Sequence, residues 1–502
     1  MTNSIVSKTI TYRLVVLLSA YFMAQFDFFV VNVAAPSFER SLRAGPVALV
    51  LIVGGYAFAY ASGMITAGRL GDMLGHRGMF IAGVLAFTVA SLLCGLAQNP
   101  AELVTARLLQ GLAGAMMVPQ VLGTITATFP ARDRPRAIAW FGVTGGVAAV
   151  SGQVFGGWLV GADVLGLGWR AIFLVNVPIG LLAALAAWRV LEHRAAQSGA
   201  PRARLDIPGA AGVTASLALV LVPLALGRTT GWPAWIWACM ACGLAAAGLI
   251  GYWQRTLRRR GGQPVLETTL FRLPTYAAGA GASVAFLVYF ASFMFTLTLM
   301  LQGGFGLSPF RAGLAFAPMG VMFSITALLG RPLVARYGQR VVGVGCVIIA
   351  AGLILFTVHP GLALVIAAAG MVGTGNGLVL PQLVGTALTQ VPSAEAGVGS
   401  GMLTTAQQFA GSAGVTLIGT VFFSVLGTDD YAGAARATAI IYLALIALVA
   451  ALVALIAVRV REAPGSAAVH RDRQARPAAQ RSRVPAQAGD PPRRHHRSAM
   501  HN

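Results

Sequence analysis

Charge of one sign is nearly missing from this chain: Asp and Glu together number 15 in 502 residues, and charged residues of both signs make up only 10%. A soluble globular chain carries about a quarter charged residues. That scarcity, with 57% hydrophobic residues and a mean hydropathy of +0.75, excludes a string of soluble domains. Lysine is almost absent too, since Lys8 is the single Lys among 36 basic residues. The four cysteines (Cys94, Cys239, Cys242, Cys346) all fall in apolar runs. Cys239 and Cys242 have no second ligand pair nearby, so they do not spell a zinc site and read as small apolar residues. No Gly-Lys-Ser phosphate loop occurs, and no polar segment is long enough for a nucleotidase, so ATP is not the energy source. Neither a cofactor nor a metal is expected.

What the chain has instead is apolar runs of the ~20 residues that cross a hydrocarbon core of about 30 Å. Fourteen runs can be drawn, over 12–34, 45–67, 78–97, 102–123, 137–160, 171–189, 208–226, 234–253, 275–300, 311–330, 341–357, 361–385, 398–424 and 434–458. The first is longer than a signal-peptide core and contains Asp27 and Asn32, so it is expected to be retained. The net charge of +21 would suit nucleic acid, but its distribution does not. When the loops are assigned alternately to two sides, the side holding both termini receives 19 basic residues and ten more in the tail, while the other side receives six. Cytoplasmic loops of membrane proteins carry such an excess. The sequence therefore predicts an all-α membrane protein of 14 helices with both termini in the cytoplasm, and no nucleic-acid partner. From about residue 462 the chain turns Arg-, Pro- and His-rich without apolar period, the pattern of a disordered basic cytoplasmic tail.

Few polar groups lie inside the spans. Asp27 is the only carboxylate placed well within one, and such a group can load and release a proton in a physiological gradient. Arg107, Gln110, Gly111 and Gly114 share one face of the fourth span, and a guanidinium at membrane depth demands a partner or a wet cavity. Asp27 and Asn32 project about 140° apart, so a single cavity does not receive both from a straight helix. Gly142, Gly145, Gly152 and Gly156 project within about 80° of one another on the fifth span, a stripe that permits close helix packing. The ninth span offers Tyr289 and Phe293 among several aromatics suited to stacking on a planar substrate.

Several motifs carry a resemblance. Gly68-Arg-Leu-Gly-Asp72-Met-Leu-Gly75-His-Arg77 resembles the signature loop of the major facilitator superfamily, with Met73 and His76 at positions where that family usually has basic residues. Its ending recurs as Tyr337-Gly338-Gln-Arg340 at an offset of 263 residues, the spacing of two six-helix halves with two helices inserted between them. Arg107-Leu-Leu-Gln110-Gly111 resembles the family's R-x-x-Q-G motif, and Gly152-Gln153-Val-Phe-Gly156-Gly157 its antiporter signature G-P-x-x-G-G, with Gln153 in place of proline. Asp27 to Pro36, Trp169 to Gly180, and Gly397 to Gln408 are similar to segments of the fourteen-helix drug:proton antiporters.

The resemblance implies a major facilitator fold, with an N-terminal six-helix half over 1–200, two inserted helices over 201–262, a C-terminal half over 263–461 and the tail over 462–502. It implies a proton-coupled antiporter, not an enzyme, exporting amphipathic drugs or natural products across a bacterial cytoplasmic membrane. Its partners would be small molecules, protons and membrane lipids, and a monomer is expected. Asp27 and Arg107 would couple the proton; Gly68, Asp72, Gly75 and Arg77 would form a cytoplasmic gate. Gly145, Gly152, Gln153, Gly156 and Gly157 would form the antiporter-motif helix, with Asn32, Gln110, Tyr289, Phe293 and Gln407 in the substrate cavity. Export of a specific metabolite, lipid or siderophore is an alternative within transport; a sensor or scaffold that moves nothing is the alternative outside it.

Overall fold

Proline and glycine divide the apolar runs into helices. In the computed structural model, residues 2–130, 133–191, 206–262, 264, 269–358, 361–387, 391, 396–427 and 430–462 are described, and among them there are helices and no strands. Pro46 sits in the first turn of its helix, where its missing N–H costs nothing. Gly75 alone separates two helices: at φ 96°, a conformation that favours glycine, it reverses the chain with no loop at all. Asn99 caps its helix by accepting from Glu102 N at 3.0 Å while donating to Glu102 Oε1 at 2.6 Å.

The resulting helices are α1 (Thr2–Leu42), α2 (Pro46–Leu74), α3 (His76–Leu96), α4 (Pro100–Thr128) and α5 (Arg134–Gly161). They are followed by α6 (Ala171–Leu174), α7 (Asn176–Val190), α8 (Ile207–Thr230), α9 (Ala234–Arg259) and α10 (Pro274–Leu299), and then by α11 (Pro309–Tyr337), α12 (Arg340–Leu355), α13 (Leu362–Ala387), α14 (Ala396–Leu426) and α15 (Tyr431–Glu462). α6 and α7 form one crossing, broken because Pro178 cannot donate to Leu174 O. Among the described residues, thirteen segments are long and apolar enough to span a membrane, and α12, at 16 residues, is a shorter apolar helix. Together they match the fourteen runs expected from the sequence. The chain is an all-helical, multi-pass membrane protein.

Packing separates two sets of helices. In the first, α2 and α3 lie along α4, α1 along α5, and α7 on α3; in the second, α13 lies between α11 and α12, and α14 packs on α10. α8 and α9 pair with each other, and α8 also touches α2 and α14. The two sets meet along a seam made by α5 with α11 and α2 with α14. Call the end of the bundle where α1 begins the terminal face, and the opposite end the far face. Toward the far face the seam is shut: a Cβ on Gly157 would overlap Pro309 O, and Ser412 Oγ donates to Gly54 O at 2.9 Å. Toward the terminal face it loosens, with Ser62, Gly63 and Met64 of α2 and Gln407, Gln408 and Phe409 of α14 half-exposed. The basic tail predicted for 462–502 falls outside the described residues apart from Glu462.

Candidate functional site

Five helices converge on one carboxylate. Asp27 of α1 and Arg107 of α4 are both fully buried, at 0% exposure, and are joined by an ion pair between Arg107 Nη1 and Asp27 Oδ2. Gln110, one turn along α4, stands on the same face as Arg107 and bridges the pair. Its Oε1 accepts from Arg107 Nη1 at 2.6 Å and its Nε2 donates to Asp27 Oδ1 at 2.8 Å. Asn176, set at the α6–α7 break, donates to the same Oδ1 at 3.0 Å, and Ser91 Oγ of α3 accepts from Gln110 at 2.8 Å.

The guanidinium is held from its other sides by α2. Arg107 Nε donates to Ile52 O at 3.2 Å, and the guanidinium carbon lies 4.4 Å from the centre of the Tyr56 ring. Arg107 Nη2 is buried with no hydrogen-bond partner. The cluster carries zero net charge as long as Asp27 is ionised. Protonating Asp27 would leave Arg107 uncompensated in a low-dielectric interior, so a change of protonation here demands a rearrangement of the helices that hold the pair. Sequence reasoning paired Asp27 with Arg107, but it assigned Gln110 to a substrate cavity and gave Asn176, Ser91 and Tyr56 no role.

At the terminal face, the junction of α2 and α3 is tied down by its neighbours. Arg77 Nη2 donates to Trp188 O of α7 at 2.5 Å, and Arg69 Nη2 donates to Pro264 O at 2.7 Å. His76, where the family pattern has a basic residue, lies with Nδ1 2.8 Å from Gln120 Oε1, and Gln120 Nε2 donates to Ala67 O at 2.8 Å. This contact requires Gly71, because a Cβ there would overlap the Gln120 amide. Gly68 faces Pro119 with space to spare, and the side chain of Asp72 lies outside the described residues.

The glycines of α5 divide their work. A Cβ at Gly145 would come within 2.8 Å of Tyr21 Oη and one at Gly152 within 2.9 Å of Phe26 O, while one at Gly156 would overlap Val30, so this face is pressed against α1. Gly157 and Gly161 face Pro309 and Phe310 of α11 instead. A helix turns 100° per residue, so Gln153 faces α1 as well: its Nε2 donates to Phe29 O at 3.2 Å, within the same helix set, and only its backbone carbonyl abuts α11 at Gly313. Asn32 donates to the same Phe29 O at 3.3 Å. Tyr289 and Phe293 are buried in the core of the second set, where Tyr289 Oη donates to Asn376 Oδ1 at 3.3 Å and both rings pack on Tyr442. Gln407 is half-buried beside the seam.

Fourteen crossings in two helix sets that meet at a glycine-rich seam, with a buried ion pair inside the first set, are the architecture of a membrane transporter. The sequence profile of the Major Facilitator Superfamily matches residues 17–415, and the chain belongs to that family. It is 38% identical over 443 residues to the probable actinorhodin transporter of Streptomyces coelicolor, covering 84% of this chain and 75% of the relative. It is 34% identical to the tetracenomycin C resistance and export protein of Streptomyces glaucescens, over 81% of this chain and 74% of that one. Identity to the multidrug resistance protein Stp of Mycobacterium tuberculosis is 31%, with 81% and 73% covered. Among solved structures, a bacterial homologue of the human lysosomal transporter Spinster in an inward-facing, occupied conformation matches with a TM-score of 0.65 at 18% identity, over 89% of this chain and 96% of that one.

Proposed function

We propose that the protein is a proton-coupled antiporter that exports amphipathic small molecules, drugs or natural products, across the bacterial cytoplasmic membrane. The observation that carries this reading is the buried Asp27–Arg107 pair, shared among α1, α2, α3, α4 and α7. Such a pair is stable in two forms only: ionised and closed, or protonated with Arg107 served by another partner. Exchange between them links proton uptake to helix movement, and the seam of α5 with α11 and α2 with α14 is where that movement separates two six-helix halves, 1–200 and 263–461. The inserted pair over 201–262 stays outside the moving seam except where α8 touches it. In this arrangement the terminal face, with its excess of Arg, is cytoplasmic, and the shut far face makes the conformation inward-facing. The export activities named for the relatives support the direction of transport.

The test is purified protein in proteoliposomes loaded with a fluorescent amphipathic dye. An imposed pH gradient drives the dye against its concentration gradient if the reading is right, and a protonophore abolishes the movement. Dye movement that ignores the pH gradient would remove proton coupling; no movement of any dye or metabolite tried would favour a non-transporting sensor.

A further inference from the structure

Three buried amides near the far-face end of α1 each keep a carbonyl oxygen without a hydrogen-bond donor. Asn32 Oδ1, Gln153 Oε1 and Gln302 Oε1 are buried and unpartnered, on side chains exposed by only 4%, 2% and 8%. Their nitrogens explain why the oxygens are left over. Asn32 and Gln153 both donate to Phe29 O, and Gln302 donates to Val33 O at 2.7 Å. Phe29 and Val33 are one turn apart on the same row of α1, so the three amides stand together along one stretch of helix. Turning any amide over would set oxygen against oxygen, so the orphan atom in each is an acceptor. Burying an acceptor without a donor is costly, and three at one place call for a donor that the described residues do not supply.

The place is the seam itself. Asn32 and Gln153 come from the first helix set, Gln302 comes from the π-helical turn Met300–Gly304 that follows α10 in the second, and Phe29 meets Phe290 of α10 with ring centres 6.3 Å apart. Phe28 lies edge-on to Phe29 at 4.9 Å, so aromatic rings of both helix sets flank the backbone that carries Phe29 O. Asp27, the acid nearest in sequence, is already paired with Arg107, so the trio offers lone pairs without a counter-charge. We propose that Asn32, Gln153 and Gln302 form a recognition site for the hydroxyl or N–H donors of a neutral aromatic substrate, filled when the seam parts. The inference rests on the transport reading given above. A permanent cation lacking donors gains only ion–dipole attraction from these oxygens, whereas a molecule with hydroxyls gives them the hydrogen bonds they lack.

The experiment measures equilibrium binding to the full-length protein in lipid nanodiscs at pH 6, with 2,6-dihydroxyanthraquinone, its dimethyl ether and tetraphenylphosphonium as probes. The dihydroxy compound is expected to bind at least tenfold tighter than the ether, and tetraphenylphosphonium no tighter than the ether. Gln153→Leu and Gln302→Leu should each remove most of that difference while leaving ether affinity and melting temperature near wild type; Gln153→Met and Gln302→Met serve if the leucine variants do not fold. Equal affinity for the two anthraquinones, no binding of either, or a preference that survives both substitutions would overturn the proposal and leave the oxygens to water. Tighter binding of the phosphonium than of the dihydroxy compound would overturn the neutral class. No gradient is applied, so a protein that binds as expected but fails pH-driven transport refutes the antiport reading alone, and the reverse result refutes this site alone.

Discussion

Arg107 illustrates how one side chain serves several partners at once. Its guanidinium reaches Asp27 and Gln110 with Nη1, Ile52 O with Nε, and lies over Tyr56. A lysine has the charge but neither the planar fork nor the reach in several directions. Arg107→Lys is therefore expected to retain a fraction of transport, and Arg107→Ala none, in proteoliposome rates corrected for protein amount. Removing either partner of a buried pair costs about 3–5 kcal/mol, because the other is left uncompensated. Asp27→Ala should accordingly lower the melting temperature well below wild type. The double variant Asp27→Ala/Arg107→Leu should recover part of that loss while remaining inactive; recovery of transport along with stability would show that the pair does no more than hold the helices. The sequence revealed the pair because an acid and an arginine within apolar runs are rare. It did not reveal Asn176, Ser91 or Tyr56, ordinary residue types whose role depends on how three other helices are rotated.

The fifth helix shows where rotation matters most. The glycine stripe was legible as a packing surface, but the residue pattern did not show that the Gln153 amide bonds to Phe29 O of the neighbouring α1. Gly157, one step round from the stripe, and Gly161 meet the other set instead, and a periodicity argument cannot say which neighbour each side of a helix receives. The steric consequences differ. At Gly156 an added Cβ meets the Val30 side chain, whereas at Gly157 it meets the backbone of α11, which cannot step aside. Gly157→Ala should thus disfavour the shut far face. With spin labels at Leu165→Cys and Arg311→Cys, in a chain whose Cys239 and Cys242 are alanine, the far-face distance distribution should shift outward by several ångströms on Gly157→Ala. An unchanged distribution would mean that the α5–α11 contact does not set the closed state. Gly156→Leu, lodged between α5 and α1 inside one helix set, is expected to abolish transport while lowering stability.

For the molecule as a whole, the count of fourteen crossings was readable because apolar runs of membrane length are unambiguous and because charge segregation tests each assignment. Even the short α12 falls where the repeat of Gly338 and Arg340 calls for a helix start. The proposed orientation rests on the same charges. Reporter fusions after Gly262 and at the C-terminus should both give cytoplasmic signals; an external signal from either would break the count or the orientation. What remained hidden at this scale was the conformation, since nothing in the residue pattern distinguishes a seam shut toward the far face from one shut toward the terminal face. Contacts such as Ser412 Oγ to Gly54 O, between residues 358 apart, are set only when the two helix sets come together.

If the Asp27 carboxylate exchanges the proton that drives export, wild type and Asp27→Asn must differ in proteoliposomes under an imposed pH gradient. Asparagine keeps the shape and one acceptor for Arg107 but cannot carry the proton. Wild type is expected to accumulate dye against its concentration gradient, while Asp27→Asn equilibrates dye downhill at most and gives no response to the pH gradient. Uphill, pH-driven transport by a folded Asp27→Asn protein would contradict it.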